Sequence, residues 1–514
     1  MEKPNILLIT TDQQHFSTLG MVNEKIQTPN LDRLCRMGIR FDRGYCASPV
    51  CTPSRASILT GKLPSEHQAW TIGVQLPEKT RTVAELLSND GYQTGLIGKA
   101  HFQPLADSPT EKSVEKHPNV RDLNFWRKFK GPWYGFDHIE ITRNHADESM
   151  VGQHYGAWME DKGLDNWRDF FQPAPGEVSE FAIGASMGQK YWKRSQSSWP
   201  LQEQFHYTTW TGERSRSFIE KAVEEQQPFF LWASFHDPHP PYLVSEPWAS
   251  MYDAEDMEPG TVIDNEHDCN PPHFQKTQEE TPDFGDWHSP FGAPGCHSHL
   301  DSRTELKKEQ AAYYGMVSFL DKEIGRILDC LEAHQQLKNT LIVFTSDHGH
   351  FLGQHGLIAK GPFHYEDLLR VPFIVSWPDK LPKNRVSTTL QTLLDLAPTF
   401  LEAAGNDVPN DMQGNSRLSE WTGESSKARK FVLCENRHNP VMPCAVTMID
   451  RRYKITVYQE GEFGELFDLS EDPGEVRNLW NDPDYLELKN DLLHKFIQAR
   501  LASELMKMPR VAHA

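Results

Sequence analysis

The sequence predicts an α/β protein: a mostly parallel central sheet flanked by helices, followed by a smaller C-terminal α+β subdomain containing an antiparallel sheet. Three observations predict it. Short apolar runs at residues 6–9, 229–235 and 341–346 alternate with long amphipathic stretches at 209–225 and 305–333. Such alternation is how parallel strands joined by helical crossovers read in a chain, and unbroken apolar runs suit strands covered on both faces. After about residue 405 the pattern changes to strand-like 431–434, hairpin-like 444–458, strand-like 465–469 and a closing helix. We therefore expect a larger domain over 1–404, with insertions at about 102–200 and 259–302, and a subdomain over 405–514.

Taken in order, residues 6–9 form a buried strand ending at Thr10-Thr11-Asp12-Gln13. A helix over 30–37 follows, with Thr28 or Asn30 near its cap. The segment Pro49-Val50-Cys51-Thr52-Pro53-Ser54-Arg55-Ala56-Ser57-Ile58-Leu59-Thr60-Gly61 reads as a second helix. Pro53 suits its first turn, where a missing N–H leaves no bond unmade, and Thr60-Gly61 closes it. Cys51 thus stands at or just before a helix N-terminus, where free N–H groups and the dipole favour negative charge. That place suits a nucleophile attacking an anionic ester; taken alone, it suits a buried structural cysteine equally well. A helix over 82–89 leads to a strand over 91–98 that ends in Gly98-Lys99-Ala100-His101. The helix over 209–225 leads to strand 229–235, and the helix over 305–333 leads to strand 340–346. In sheets of this kind functional groups gather beyond the carboxyl ends of the strands.

The 514 residues carry 72 acidic against 52 basic side chains, a net charge of −20. That balance argues against non-specific binding to nucleic acid or anionic membranes. An anionic substrate would need a local cationic pocket, because the overall field repels it. No stretch is long enough to span a bilayer, and the short run at 6–9 has no cleavage site after it. As it reads, the sequence predicts a cytoplasmic protein, or a periplasmic or secreted one if a leader has been removed. The cysteines at 35, 46, 51, 269, 296, 330, 434 and 444 lack paired spacing and suggest reduced thiols. Two long loop-like stretches are expected to be functional or disordered. The first holds Trp126, Trp133, Tyr134, Trp158, Trp167 and Trp192, which argue for ordered pocket walls; the second is dense in Pro, Gly, His and Asp. Long insertions often make contacts between subunits, which leaves a homo-oligomer open.

Asp12-Gln13 and Asp347-His348 each follow an apolar strand. Two strand-end carboxylates with an amide and an imidazole make a divalent-cation site, oxygen ligands suiting Ca²⁺ or Mg²⁺ and the imidazole tilting toward Mn²⁺. Lys99 and His101, two apart, share one face if the chain there is extended. In Phe235-His236-Asp237-Pro238-His239-Pro240-Pro241, the prolines restrict the backbone and fix where the imidazoles point. Lys360 alone reads as a loop lysine.

The segment from Pro49 to Gly61 resembles the signature of the formylglycine-dependent type I sulfatases, members of the alkaline-phosphatase-like superfamily. Gly91-Tyr92-Gln93-Thr94 with Gly98-Lys99-Ala100-His101 resembles their second signature. The resemblance runs from Pro4-Asn5 to Asp468-Leu469-Ser470-Glu471-Asp472-Pro473. It implies a sulfuric ester hydrolase releasing sulfate from an aryl or carbohydrate ester, with Cys51 oxidised to Cα-formylglycine by a formylglycine-generating enzyme. The hydrated aldehyde would attack sulfur, activated by a cation held by Asp12, Gln13, Asp347, His348 and residue 51, with Arg55 and His101 nearby. Calcium is the family's usual ion, with Mn²⁺ or Mg²⁺ as alternatives. Lys99, His239 and Lys360 would bind the sulfate, and His239 or Lys360 would protonate the leaving alcohol, while His236 would be structural. Gln13 and His348 replace the family's common Asp and Asn and are similar to phosphonate monoester hydrolases, as is the tract from Met251 to Met257. A phosphonate monoester or phosphodiester hydrolase is therefore the alternative, although those enzymes typically lack the Lys-x-His pair. A catalytically inactive binding protein is the third reading. The substrate's alcohol is not legible.

Overall fold

The computed structural model describes residues 3–143, 151–171, 198–279, 302–437 and 444–505. Its central sheet holds, among the described residues, eight strands: β1 (Asn5–Thr11), β2 (Ile39–Phe41), β3 (Gln93–Gly98), β4 (His138–Ile141), β5 (Phe229–Ser234), β6 (Thr340–Ser346), β7 (Phe373–Ser376) and β8 (Arg385–Ser387). They lie in the order β8-β2-β7-β6-β1-β5-β3-β4. All pair in parallel except β7, which runs antiparallel to both β6 and β2. The expected mostly parallel sheet is therefore present, with one reversed strand inside it.

Apolar runs become strands here because both faces are covered. Leu7 and Ile9 of β1 pack on one face against α1 (Pro29–Met37), α4 (Tyr207–Glu224) and α5 (Arg303–Ala333). Ile6 and Leu8 face the other way, toward α2 (Cys51–Thr60), α3 (Val83–Asn89) and α6 (Leu396–Ala403). All seven residues of β1 are buried, and each fully buried Leu or Ile contributes about 1.5–3 kcal/mol. Helix α3 is capped by Thr82, whose side chain accepts from the Glu85 N–H.

The C-terminal region forms the expected antiparallel sheet, β9 (Val432–Asn436), β10 (Ala445–Ile449), β11 (Tyr453–Tyr458) and β12 (Gly464–Asp468), in that order. Met448, Ile455 and Leu466 pack against Leu492 and Ala499 of α7 (Leu486–Ser503).

Two expectations need correction or bounding. The described aromatics between 102 and 200 that were expected to line pockets are core instead. Trp126 and Trp167 are wholly buried, and Trp158, Trp167, Tyr155, Trp199, Tyr207 and Trp210 share one hydrophobic cluster. Apolar area of that size is stabilised by packing: Trp126, Trp133 and Tyr134 join the main core, and the other cluster is shared with Tyr207 and Trp210 of α4 and with Leu243. Trp192 and residues 280–301 of the second insertion lie outside the described residues. The cysteines at 35, 46, 51, 269, 330, 434 and 444 are free, as expected; Cys296 lies outside the described residues. Among the described residues no helix is long and apolar enough to cross a membrane.

Candidate active site

The register of the central strands brings the polar residues together. In the parallel run β6-β1-β5-β3, Thr11 lies opposite Ser346, and Ser234 opposite both Thr10 and Gly98. The residues that leave these ends, Asp12, Lys99 and Asp347, therefore emerge at one edge. Their backbones stay stitched: Asp347 N–H donates to Thr11 O (3.2 Å), Asp12 N–H to Asp237 O (3.2 Å) and Lys99 N–H to Ser234 O (2.8 Å). Gly98 permits the last contact. Its φ is +108°, and a Cβ there would lie 1.8 Å from Ser234 O.

Helix α2 points its first residue into this edge. Val50 is its extended N-cap, and Gly61 ends it in the left-handed conformation (φ +66°), its N–H donating to Ser57 O. All ten residues are buried. Ser54 Oγ donates to Asp347 O (2.5 Å). At the tip, Cys51 Sγ lies 3.0 Å from Lys360 Nζ, 3.2 Å from His348 Nε2 and 3.5 Å from Asp12 Oδ1. Burial and Asp12 push the Cys51 thiol up, but Lys360, Lys99 and His348 prevail and it lies below its ordinary value. The field at the helix tip thus favours a negatively charged atom there.

Ligand atoms of Asp12, Cys51, Asp347 and His348 all lie within 4.8 Å of one another, and all four residues are buried. His348 Nδ1 donates to Gly349 O (2.9 Å), so Nε2 presents its lone pair toward Cys51. Gln13 takes a left-handed φ of +63° and donates its N–H to Asp347 Oδ1 (3.0 Å). Its Oε1 is buried with no hydrogen-bond partner among the described residues. An orphaned buried acceptor, two carboxylates and an imidazole nitrogen form a donor set that fits a divalent cation.

Arg55 is wholly buried and binds the carboxylates gathered at the helix tip. Its Nε donates to Asp347 Oδ2 (2.8 Å) and its Nη1 to Lys99 O (3.0 Å) and Ser234 Oγ (2.6 Å), while Nη2 lies 3.9 Å from Asp12 Oδ2. It therefore holds the carboxylates in place. Lys99 Nζ pairs with Asp12 Oδ2.

The expectation that Lys99 and His101 share one face of an extended chain is incorrect. The strand stops at Gly98, and His101 adopts φ +60°, so period-two alternation does not apply. His101 is buried, and burial together with Arg143 and Lys99 holds its imidazole well below its ordinary value.

His239 Nδ1 donates to Pro240 O (2.5 Å), so its Nε2 accepts from Lys360 Nζ at 3.1 Å. His236, set in the same loop, donates from Nε2 to Thr142 O (2.9 Å). Sequence reasoning missed Ser234, His350, Tyr242 and Tyr313. Ser234 and His350 were discoverable as polar residues at or just past strand ends; the tyrosines carried no such signal.

His355, five residues before Lys360, supports this loop. Its Nδ1 donates to Glu266 Oε1 (2.9 Å) and its Nε2 lies 3.5 Å from Asp367 Oδ2. Burial pushes the imidazole down, but Asp367 and Glu266 prevail and raise it to about 9. A raised folded value stabilises fully below the unfolded value of about 6.5 and loses that contribution as pH rises toward 9. Urea-unfolding free energy is expected to fall by about 3 kcal/mol between those limits, and His355→Gln is expected to flatten the profile.

The family model described as Sulfatase matches residues 4–406. The chain belongs to the sulfatase family. A second model, N-sulphoglucosamine sulphohydrolase, C-terminal, matches residues 353–502. An arylsulfatase from Clostridium perfringens is 28% identical over 507 residues, covering 96% of this chain and 94% of the relative. Among solved structures, the phosphonate monoester hydrolase SpPMH from Silicibacter pomeroyi superposes with a TM-score of 0.78 at 21% identity, over 99% of this chain and 98% of that one. BT4656, solved with its substrate D-glucosamine-2-N,6-O-disulfate, superposes with a TM-score of 0.70 at 22% identity, over 98% of both chains. These structures share the fold. The protein is a sulfatase-family enzyme.

Proposed function

We propose that this enzyme hydrolyses sulfate esters of saccharide or aryl alcohols, with the side chain of residue 51, as an aldehyde hydrate, supplying the nucleophile. The observation that carries the reading is the convergence of Lys360, His348 and Asp12 on Cys51 Sγ within 3.0–3.5 Å at the tip of a buried helix. The sulfur marks where the nucleophilic oxygen would sit. A hydrate suits the task better than an alcohol or a thiol, because its second hydroxyl can lose a proton and release the sulfate.

Asp12, Gln13, Asp347 and His348 would hold a divalent cation, which when bound supplies Lewis-acid stabilisation of negative oxygen. Calcium suits the oxygen-rich donors, and His348 makes Mn²⁺ the first competitor to test. Arg55 keeps Asp347 and the Lys99 backbone in register through its three short bonds. Lys99 and Lys360 place positive charge where the sulfuryl oxygens would gather, which is how an enzyme of net charge −20 captures an anion. Lys360 holds the proton in its pair with His239, since Nε2 of His239 accepts. We therefore assign the leaving-group proton to Lys360, with His239 orienting it. Lys360→Ala is expected to lower kcat/KM by roughly 10²–10³-fold, more for alkyl than for aryl esters, which a leaving-group series would reveal.

Cation binding should also be visible without turnover. At 100-fold above its Kd, Ca²⁺ is expected to add about 2.7 kcal/mol of stability by mass action. Chelation should remove the increment, and Asp347→Asn should make the protein insensitive to both treatments.

The competing reading is a phosphonate monoester hydrolase. Gln13 and His348 favour it, as does the fold shared with SpPMH. The Lys99-x-His101 pair favours sulfate. Comparing kcat/KM for an aryl sulfate and the matching aryl phosphonate, on protein with confirmed aldehyde, decides between them; faster phosphonate hydrolysis would overturn the sulfatase assignment.

A further inference from the structure

Behind Gln13 lies a buried chain of hydrogen bonds that the reaction above does not use. Gln13 Nε2 lies 2.8 Å from His350 Nδ1, and His350 Nε2 lies 2.8 Å from the Tyr242 hydroxyl. Tyr313 stacks on the His350 ring, with centroids 4.8 Å apart and planes 9° apart. The Tyr313 hydroxyl donates to Gln13 O (2.9 Å) and accepts from His15 N–H (2.8 Å). Gln13, His350 and Tyr313 have no exposed surface, and Tyr242 has almost none.

These contacts have a definite proton order. An amide nitrogen only donates, so His350 Nδ1 accepts and its ring proton sits on Nε2, donated to the Tyr242 oxygen. With the amide nitrogen engaged in this way, Gln13 Oε1 is the atom left without a hydrogen-bond partner. Turned about its last bond, the amide would point its oxygen at His350 and present N–H groups, which cannot ligate a cation, on the opposite side. A glutamine ligand carries this ambiguity where an aspartate does not.

We propose that His350 is a positioning residue that locks the Gln13 amide with its nitrogen inward, so that its oxygen is free to ligate the cation. The Tyr242 hydroxyl accepts the Nε2 proton, and Tyr313 holds the ring plane. The inference rests on the reading of Gln13 as a cation ligand.

The test is a double-mutant cycle on Ca²⁺ affinity, measured by calorimetry on chelator-stripped full-length protein, with urea unfolding of the same stripped samples reporting on the fold. His350→Phe keeps the stack on Tyr313 and removes the acceptor. It is expected to weaken Ca²⁺ binding by about 10–100-fold, the usual effect of losing a residue that orients a ligand. His350→Gln, whose side-chain oxygen can accept, should recover most of that loss. In a Gln13→Glu background either oxygen can serve, so His350→Phe should change affinity less than about 3-fold. Equal losses in both backgrounds, or no loss in either, would overturn the positioning role. If Gln13→Ala leaves Ca²⁺ affinity unchanged, the ligand reading itself fails, and the two failures are thereby distinct. Should His350→Phe not fold, His350→Leu, which also removes the acceptor, carries the same comparison, and its effect should likewise vanish with Gln13→Glu.

Discussion

Cys51→Ala is expected to lower kcat by roughly 10⁴–10⁶-fold, the scale on which an enzyme loses its nucleophile. The side chain is buried at the first residue of α2 and makes its contacts with Lys360, His348 and Asp12 rather than with the apolar core. Its removal should therefore leave the unfolding midpoint nearly unchanged, which separates a chemical loss from a structural one. Cys51→Ser is informative beside it. A serine that cannot become an aldehyde would supply one hydroxyl, which can attack once but cannot expel the sulfate it has taken. Such a variant is expected to bind substrate and fail to turn over, and a burst of released alcohol without a steady state would be its kinetic mark.

The largest effect on stability is expected from Arg55→Met. Arg55 has no exposed surface and donates to Asp347, to the Lys99 carbonyl and to Ser234 at 2.8, 3.0 and 2.6 Å. Burial alone would lower its pKa, but Asp347 and Asp12 prevail and raise it, so the charge is well compensated. Removing one member of a buried pair leaves an uncompensated charge, at a cost of about 3–5 kcal/mol. Urea denaturation with an unchanged slope should show that loss in Arg55→Met. Asp347→Asn in the same chain should recover part of it, because the stranded carboxylate is then neutral. Full additivity of the two substitutions would contradict the pairing. Arg55→Met should also weaken cation binding, because Asp347 would lose the donor that fixes its Oδ2.

Much of this was legible in the chain. The unbroken apolar runs announced β1, β5 and β6 because a strand covered on both faces has no reason to alternate. Two of those runs also told where β1 and β6 would end, and hence that Asp12 and Asp347 would stand at carboxyl ends; Lys99 followed from the strand read over 91–98. Strand order and register were not legible, since they depend on which runs pair across more than two hundred residues. Strand β7 illustrates this: its buried Phe373, Ile374 and Val375 look no different from a parallel strand, yet it runs antiparallel to β6. The Lys99 and His101 alternation failed for a local reason, the left-handed turn at His101. The aromatic insertion misled because large apolar side chains line pockets and fill cores alike, and their own cluster decided for the core. What single residues could not reveal were hydrogen-bond directions. That His239 turns Nδ1 to the Pro240 carbonyl and Nε2 to Lys360, and that the Gln13 amide meets His350, became readable only in the folded chain.

The central claim is that residue 51 acts as an aldehyde rather than as a thiol. Its most direct test is peptide mass spectrometry of the segment containing Cys51, run on preparations made with and without a formylglycine-generating enzyme, alongside kcat for an aryl sulfate in each. We expect kcat to rise in proportion to the fraction of residue 51 found as aldehyde and to extrapolate to near zero at none. Full turnover from protein whose residue 51 is wholly cysteine would contradict it.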